Sequence, residues 1–218
     1  MQTDRRARRR QETIEEILDL SEAIMTEEGV NGLSLAEVAR RLGVTPPSLY
    51  KYFPSLMSVY DALYGRAARA HLEVMRTAMD ASEPGLRALE AGLVASGHWC
   101  MEHRGSAQLL FWRPVPSFEP SPEAFAPSIE MMELNRLGLT DAVAAGELGP
   151  DGASDEAIYL VSIMIAGTLS QAMANEPDLP WGEGRFSPLF PRLMALLPAA
   201  YPPSGTSTRR GRRGQSGA

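Results

Sequence analysis

The chain has 218 residues, 44% of them hydrophobic, and a formal net charge of −6; it reads as a globular, soluble chain long enough for a sizeable core. No apolar run approaches the roughly 20 residues of a membrane span, and no apolar stretch follows the basic start as a secretory signal requires. The one cysteine, Cys100, excludes an internal disulfide and fits a reducing, cytoplasmic setting.

The acidic total conceals two basic ends. Residues 5–10 hold five arginines, and Arg209, Arg210, Arg212 and Arg213 lie in the last ten residues, whereas residues 54–208 carry 9 basic and 18 acidic side chains. Local charge, not the total, governs attraction to phosphate. Residues 1–10 are expected to form a disordered basic arm and 204–218 a disordered basic tail.

A helical period begins at Gln11, with Ile14, Ile17, Leu18, Ser21, Ile24 and Met25 on one face and Gly29 at the place of a left-handed C-cap. Ser34 and Glu37 then give the S-x-x-E capping box, flanked by Leu33 and Val38 as a hydrophobic staple. The short helix that follows ends at Gly43. Thr45 is a good N-cap, Pro46 and Pro47 suit a first turn, and residues 48–53 supply about two helical turns before Pro54 stops them. Longer helices are predicted over 55–80 and 86–103, a short one near 106–112, then helices near 123–139, 153–175 and 189–200. No strand alternation or internal repeat is present, so the fold class is all-α.

Two short helices joined by a tight turn need a small residue at their crossing, a residue tolerant of positive φ at the turn, and apolar locks. Ala39, Gly43, Val44 and Leu49 meet those needs in order. With Leu49 and Phe53 turned inward, Thr45, Pro46, Pro47, Ser48, Tyr50, Lys51 and Tyr52 face out, as in a recognition helix. Residues 29–63, reading GVNGLSLAEVARRLGVTPPSLYKYFPSLMSVYDAL, resemble the DNA-binding segment of TetR/AcrR-family regulators, with the L-Y-x-[HY]-F recognition helix and its following F-x-S/N/D-K-x-x-L entry. The resemblance covers part of the chain only; the remainder is similar in length, helicity and order.

The resemblance implies phosphate contacts from Thr45 and Tyr50, base reading at Pro46, Pro47 and Ser48, a variable recognition position at Lys51, and Tyr52 where histidine is frequent. Proline offers no donor, so Ser48, Tyr50 and Lys51 are expected to carry the hydrogen-bonded readout. One departure stands out: Leu56 occupies the position of a phosphate-anchoring lysine, which weakens binding and lowers its salt dependence unless the arginine arm compensates. The alternative is a helical dimeric small-molecule- or protein-binding module whose degenerate helix-turn-helix no longer binds DNA.

In such a family the C-terminal helices dimerise and hold a small ligand. Residues 157–173 are apolar nearly all round, with Ile158, Val161, Ile165 and Leu169 on one stripe, so the helix is buried on both sides, by core alone or by core and a second copy. A reader of two half-sites favours the homodimer. Aromatic and sulfur-bearing residues cluster in the middle of the chain, and Trp99, His103, Phe111, Trp112 and Met132 are the candidate ligand-binding residues. His98–Glu102 and Cys100–His103 form two separate facing pairs, giving no four-ligand metal site. No cofactor is expected. No phosphate-cradling loop, nucleophile elbow or H-E-x-x-H is present, which argues against an enzyme.

The expected organisation is a helix-turn-helix DNA-binding head over 11–54 and a larger helical ligand-binding and dimerisation domain over 55–203. The expected activity is repression: a dimer binds near-palindromic operator DNA and a small apolar molecule releases it, with no membrane involved.

Overall fold

The computed structural model describes residues 2–203, with side chains from residue 5 onward; the expected C-terminal basic tail lies outside them. The described residues are helical throughout, with no strand. Helix α1 spans Gln2–Glu28, α2 Leu35–Leu42, α3 Leu56–Asp80, α4 Leu86–Glu102, α5 Arg104–Phe111, α6 Pro122–Ala144, α7 Asp155–Asn175, α8 Phe190–Met194 and α9 Leu197–Ala200.

The arginine arm is not irregular: residues 2–10 are the first turns of α1. Arginine is a strong helix former, and no glycine or proline interrupts the chain before Gly29. Arg8 pairs with Glu12 one turn on at 3.0 Å, which supports the extension. Gly29 does take positive φ, but its ψ of 164° is extended, so the chain leaves α1 without a left-handed cap.

The head is built as the local signals require. Ser34 Oγ accepts from Glu37 N at 3.2 Å and Gly43 ends α2 in the left-handed region at φ 70°. The Glu37 carboxylate turns to Arg40 and Arg41 instead of closing the capping box, and they hold its pKa down to about 2. Arg41 reaches on to Glu27 and Glu28, fastening α2 to the end of α1.

The predicted two-turn recognition helix is instead a 3-10 turn over Pro46–Ser48 followed by further turns to Tyr52. The segment is squeezed between Pro46-Pro47 and Pro54, which disfavours the α conformation at Phe53; too few residues remain to propagate an α-helix. Thr45 precedes it without a side-chain cap, its Oγ1 lying 3.1 Å from Ser48 Oγ.

Two apolar clusters form the core. The first unites Ile17, Ile24, Val38, Leu49 and Phe53 of the head with Val59, Tyr60, Leu63, Tyr64 and Ala68 of α3, and with Leu109, Val115 and Ala124. The head's core therefore runs past residue 54 into α3 and onto α5 and α6. The second joins α3 through α9 around Leu89, Leu93, Cys100, Leu139, Ile158 and Phe190.

By length and composition α7 is apolar enough to cross a bilayer, contrary to the expectation from the sequence. Ala157, Ile158, Val161, Leu169 and Ala172 bury one face of it against the second cluster, as in the core helix of a folded domain. Ile158, Val161 and Leu169 of the expected stripe are thus core, whereas the opposite face, with Tyr159, Ile163, Ala166 and Gly167, is exposed, so within one chain the helix is buried on one side and not on both. The helix expected over 189–200 is broken into α8 and α9, with Pro191 and Pro198 opening their first turns.

Candidate nucleic-acid interface and ligand cavity

The recognition segment presents one outward face. Leu49 and Phe53 are buried, anchoring it to the head, while Thr45, Pro46, Pro47, Tyr50 and Lys51 are exposed. Ser48 and Tyr52 are only half-buried, Ser48 beside Thr45 and Tyr52 packed on the head core. Lys51 Nζ lies 5.0 Å from the Tyr52 ring centroid and the Arg10 guanidinium 5.4 Å from it. Arg10 Nη2 also donates to the Lys51 carbonyl at 3.4 Å.

Arg6, Arg9, Arg10 and Thr13 of α1 and Lys51 and Tyr52 together line one open groove. Continuing α1 by two turns brings the arginine run to the recognition segment, a juxtaposition the sequence reading lacked because it took residues 1–10 as irregular. Leu56 is half-buried against the head core and adds no charge there. The result is a cationic groove next to an exposed hydroxyl-bearing turn, the chemistry that phosphate oxygens and base edges require.

A second site lies between α3, α4, α5, α6 and α7: a cavity of about 330 Å³. Helix α3 contributes Tyr64, His71 and Met75, α4 Leu93 and Ser96, and α5 Leu110 and Phe111. Trp112, α6 (Phe125, Ser128, Met131, Met132 and Asn135) and α7 (Ser162, Ile165, Ala166 and Leu169) complete the wall. Of the sequence candidates, Phe111, Trp112 and Met132 line it. Trp99 and His103 do not: Trp99 is buried behind the wall, its ring 4.9 Å from that of His71 and 5.0 Å from that of His103. Composition marked them as pocket-like, but not which side of α4 meets the cavity.

His71 and Asn135 were missed. His71 Nε2 lies 2.7 Å from Ser96 Oγ and Nδ1 faces Met131 Sδ; burial pushes its pKa down to about 4, so the ring is neutral. Cys100 is buried under the same serine, its thiol pushed up to about 12 by desolvation, which makes it an inert core thiol. Among the described residues the cavity wall holds no lysine, arginine or carboxylate.

Helix α3 connects the two sites. Its Arg66 grips α1 through Asp19 at 2.6 Å and Glu22 at 2.8 Å. Tyr60 hydroxyl donates to the Val30 carbonyl in the head at 2.7 Å, and Tyr64, one turn on, meets Ser128 of α6 at 3.1 Å beside the cavity.

Residues 17–63 match the family of bacterial regulatory proteins described as the tetR family. The chain is 29% identical over 175 residues to the HTH-type transcriptional repressor BepR of Brucella suis biovar 1 (strain 1330), covering 76% of this chain and 82% of that protein. Its fold is similar to a protein of unknown function from Rhodococcus sp. RHA1, with a TM-score of 0.72 and 20% identity over 86% of this chain and 94% of the other. It is also similar to the transcriptional regulator FadR from Bacillus subtilis, solved with stearoyl-CoA, with a TM-score of 0.64 and 16% identity over 84% and 96% of the two chains.

Proposed function

We propose that this chain, a TetR-family regulator by its residues 17–63, is a ligand-responsive repressor that binds a near-palindromic operator as a dimer and is released by a small apolar molecule. The observation that carries the DNA half is the meeting of the α1 arginines with Lys51 and Tyr52 around one groove, beside the exposed Tyr50, on a turn whose apolar residues Leu49 and Phe53 are fixed in the head. Pro46 and Pro47 offer apolar contact to base methyls, and Ser48, Tyr50 and Lys51 supply donors. The arm arginines take over the phosphate charge that Leu56 does not provide.

Release follows from the path of α3. The same helix contributes to the head's core at Val59, Tyr60 and Leu63 and to the cavity wall at Tyr64, His71 and Met75. A ligand that fits the cavity better in one tilt of α3 than another biases the separation of two heads in a dimer. On this proposal the chain acts at DNA in the cytoplasm and performs no catalysis.

The test is fluorescence-anisotropy titration of the full chain on its own upstream DNA and on a scrambled duplex, across a salt series. Selective binding that weakens steeply with salt supports the reading. Equal and weak binding to both duplexes at low salt overturns it and leaves a helical module with a degenerate helix-turn-helix.

A further inference from the structure

The polar groups on the cavity wall have hydrogen-bond partners within the chain with one exception. Tyr64 hydroxyl pairs with Ser128, His71 with Ser96, Ser162 Oγ donates to the Ile158 carbonyl, and Trp112 Nε1 donates to Ser170 Oγ. Asn135, on α6, is 8% exposed, and its Oδ1 is buried without a hydrogen-bond partner. A buried amide oxygen left unpaired costs about 1–3 kcal/mol, so the native fold carries an acceptor whose burial no hydrogen bond within the chain offsets. Such a group has a physical rationale when something else completes it.

We propose that Asn135 is the specificity-determining residue of the cavity, accepting a hydrogen bond from a compact, uncharged, apolar ligand that carries a hydroxyl or N–H donor. The inference rests on the ligand-cavity reading above and adds the chemical class of the occupant. Three observations restrict that class. The wall holds no cationic side chain and His71 is neutral, so a carboxylate or phosphate would be buried without a counter-charge. The volume of about 330 Å³ lies near the small end of ligand pockets, which excludes a coenzyme-A thioester from full enclosure. The remaining wall is chiefly aromatic, aliphatic and thioether, fitting an apolar body with one polar end.

The test uses three probes on the full chain at neutral pH by titration calorimetry: 2-naphthol, naphthalene and 2-naphthoate. In the native protein 2-naphthol should bind roughly ten-fold or more tighter than naphthalene, with 2-naphthoate weakest. In Asn135→Leu the advantage of 2-naphthol should vanish while naphthalene binds at least as well. The Leu variant should melt no lower than the native protein, since the buried acceptor it removes has no partner within the chain; Asn135→Ala gives the same comparison with less bulk. Equal binding of 2-naphthol and naphthalene, an advantage that survives in Asn135→Leu, or a preference for 2-naphthoate would each overturn the assignment of Asn135 while leaving the cavity as a ligand site. A large loss of stability in both variants would overturn it too, because it would make Asn135 structural. No binding of any probe at millimolar concentration would overturn this inference and the ligand-cavity reading together.

Discussion

The carboxylate of Asp61 holds the start of α6: Oδ1 accepts from Ser121 N at 2.6 Å and Oδ2 from Ser121 Oγ at 2.9 Å. Ser121 is itself the N-cap of α6, its Oγ accepting from Ala124 N at 3.2 Å. Asp61 sits between Tyr60 and Leu63, in the part of α3 that belongs to the head's core, whereas α6 supplies five residues to the cavity wall. Two charge-assisted hydrogen bonds therefore join the head to the wall of the cavity. Asp61→Ala should lower stability by about 1–3 kcal/mol and uncouple the sites. Operator affinity measured with and without a cavity ligand should differ less than in the native protein, while ligand affinity changes little. If the ratio of operator affinities is unchanged, Asp61 only caps the helix.

Leu56 and Arg10 predict opposite changes in salt dependence. Leu56→Lys restores a cation at the entry to α3 and should steepen the slope of log K against log salt by about one unit, with tighter operator binding. Arg10→Ala removes a cation that touches both the Tyr52 ring and the Lys51 carbonyl. It should flatten the slope by a similar amount. Anisotropy titrations at four or five salt concentrations separate the two, and identical slopes for all three proteins would remove α1 from the DNA interface.

What was legible in the sequence was local. Ser34 and Gly43 lie within ten residues of one another, and each acts on backbone groups that it can reach without any tertiary contact; the Glu37 carboxylate, expected to close the capping box, turns to Arg40 and Arg41 instead. Tyr50 and Lys51 were readable for the same reason, as the residues left outside once Leu49 and Phe53 turn in. The recognition segment went astray because two prolines look permissive at a helix start, yet with Pro54 they leave too little chain for α-helix. Asn135 and His71 had no signal at all: each lies on a helix that carries several other polar residues, and only the packing of neighbouring helices around it singles it out. Trp99 and Phe111 look equally suited to a pocket in sequence, and only packing sends one behind the wall and the other onto it.

His71 makes stability depend on pH in a defined window. Its folded pKa of about 4 lies below its ordinary 6.5 because burial disfavours the charged ring. The unfolded chain therefore takes up the proton first, and stability present above pH 6.5 is lost as pH falls toward 4, by on the order of 3 kcal/mol. Chemical denaturation of the native protein and of His71→Gln at pH 7.5, 6, 5 and 4.5 measures this directly. The native protein should lose more stability than the variant across that range, and parallel curves would mean that the folded ring titrates normally.

Gly97 on α4 marks the closest approach of the loop after α7. A Cβ there would lie 2.3 Å from Trp181 Cδ2, and Trp181 is buried with its ring 5.7 Å from that of Phe190. The indole is a rigid ring and not the far end of a flexible side chain, so something must shift. Gly97→Ala gains helix propensity worth about 1 kcal/mol but forces a repacking that costs about 1–3 kcal/mol. The melting temperature should fall, with a change in Trp181 fluorescence; an unchanged or higher value would show that the loop yields freely.

The exposed apolar face of α7 determines the last prediction. Ile163 is 67% exposed and Tyr159 57%, with Leu196 between α8 and α9 at 58%. Single exposed apolar residues are ordinary, but these lie on α7 and at the α8–α9 junction, whose other sides contribute to the second core cluster. Covering them with the same face of a second copy buries both sides of α7 and gives the two-fold arrangement that a two-half-site operator needs. Leu169 is unsuited to test this, because at 3% exposure it belongs to the core and the cavity wall. Ile163→Glu leaves the fold of a single chain intact and buries two carboxylates in the proposed interface. Its mass by analytical ultracentrifugation should be that of a monomer, with a helical spectrum like the native protein's and operator affinity reduced more than ten-fold. A stable dimer in that variant would move the interface to another face of the molecule.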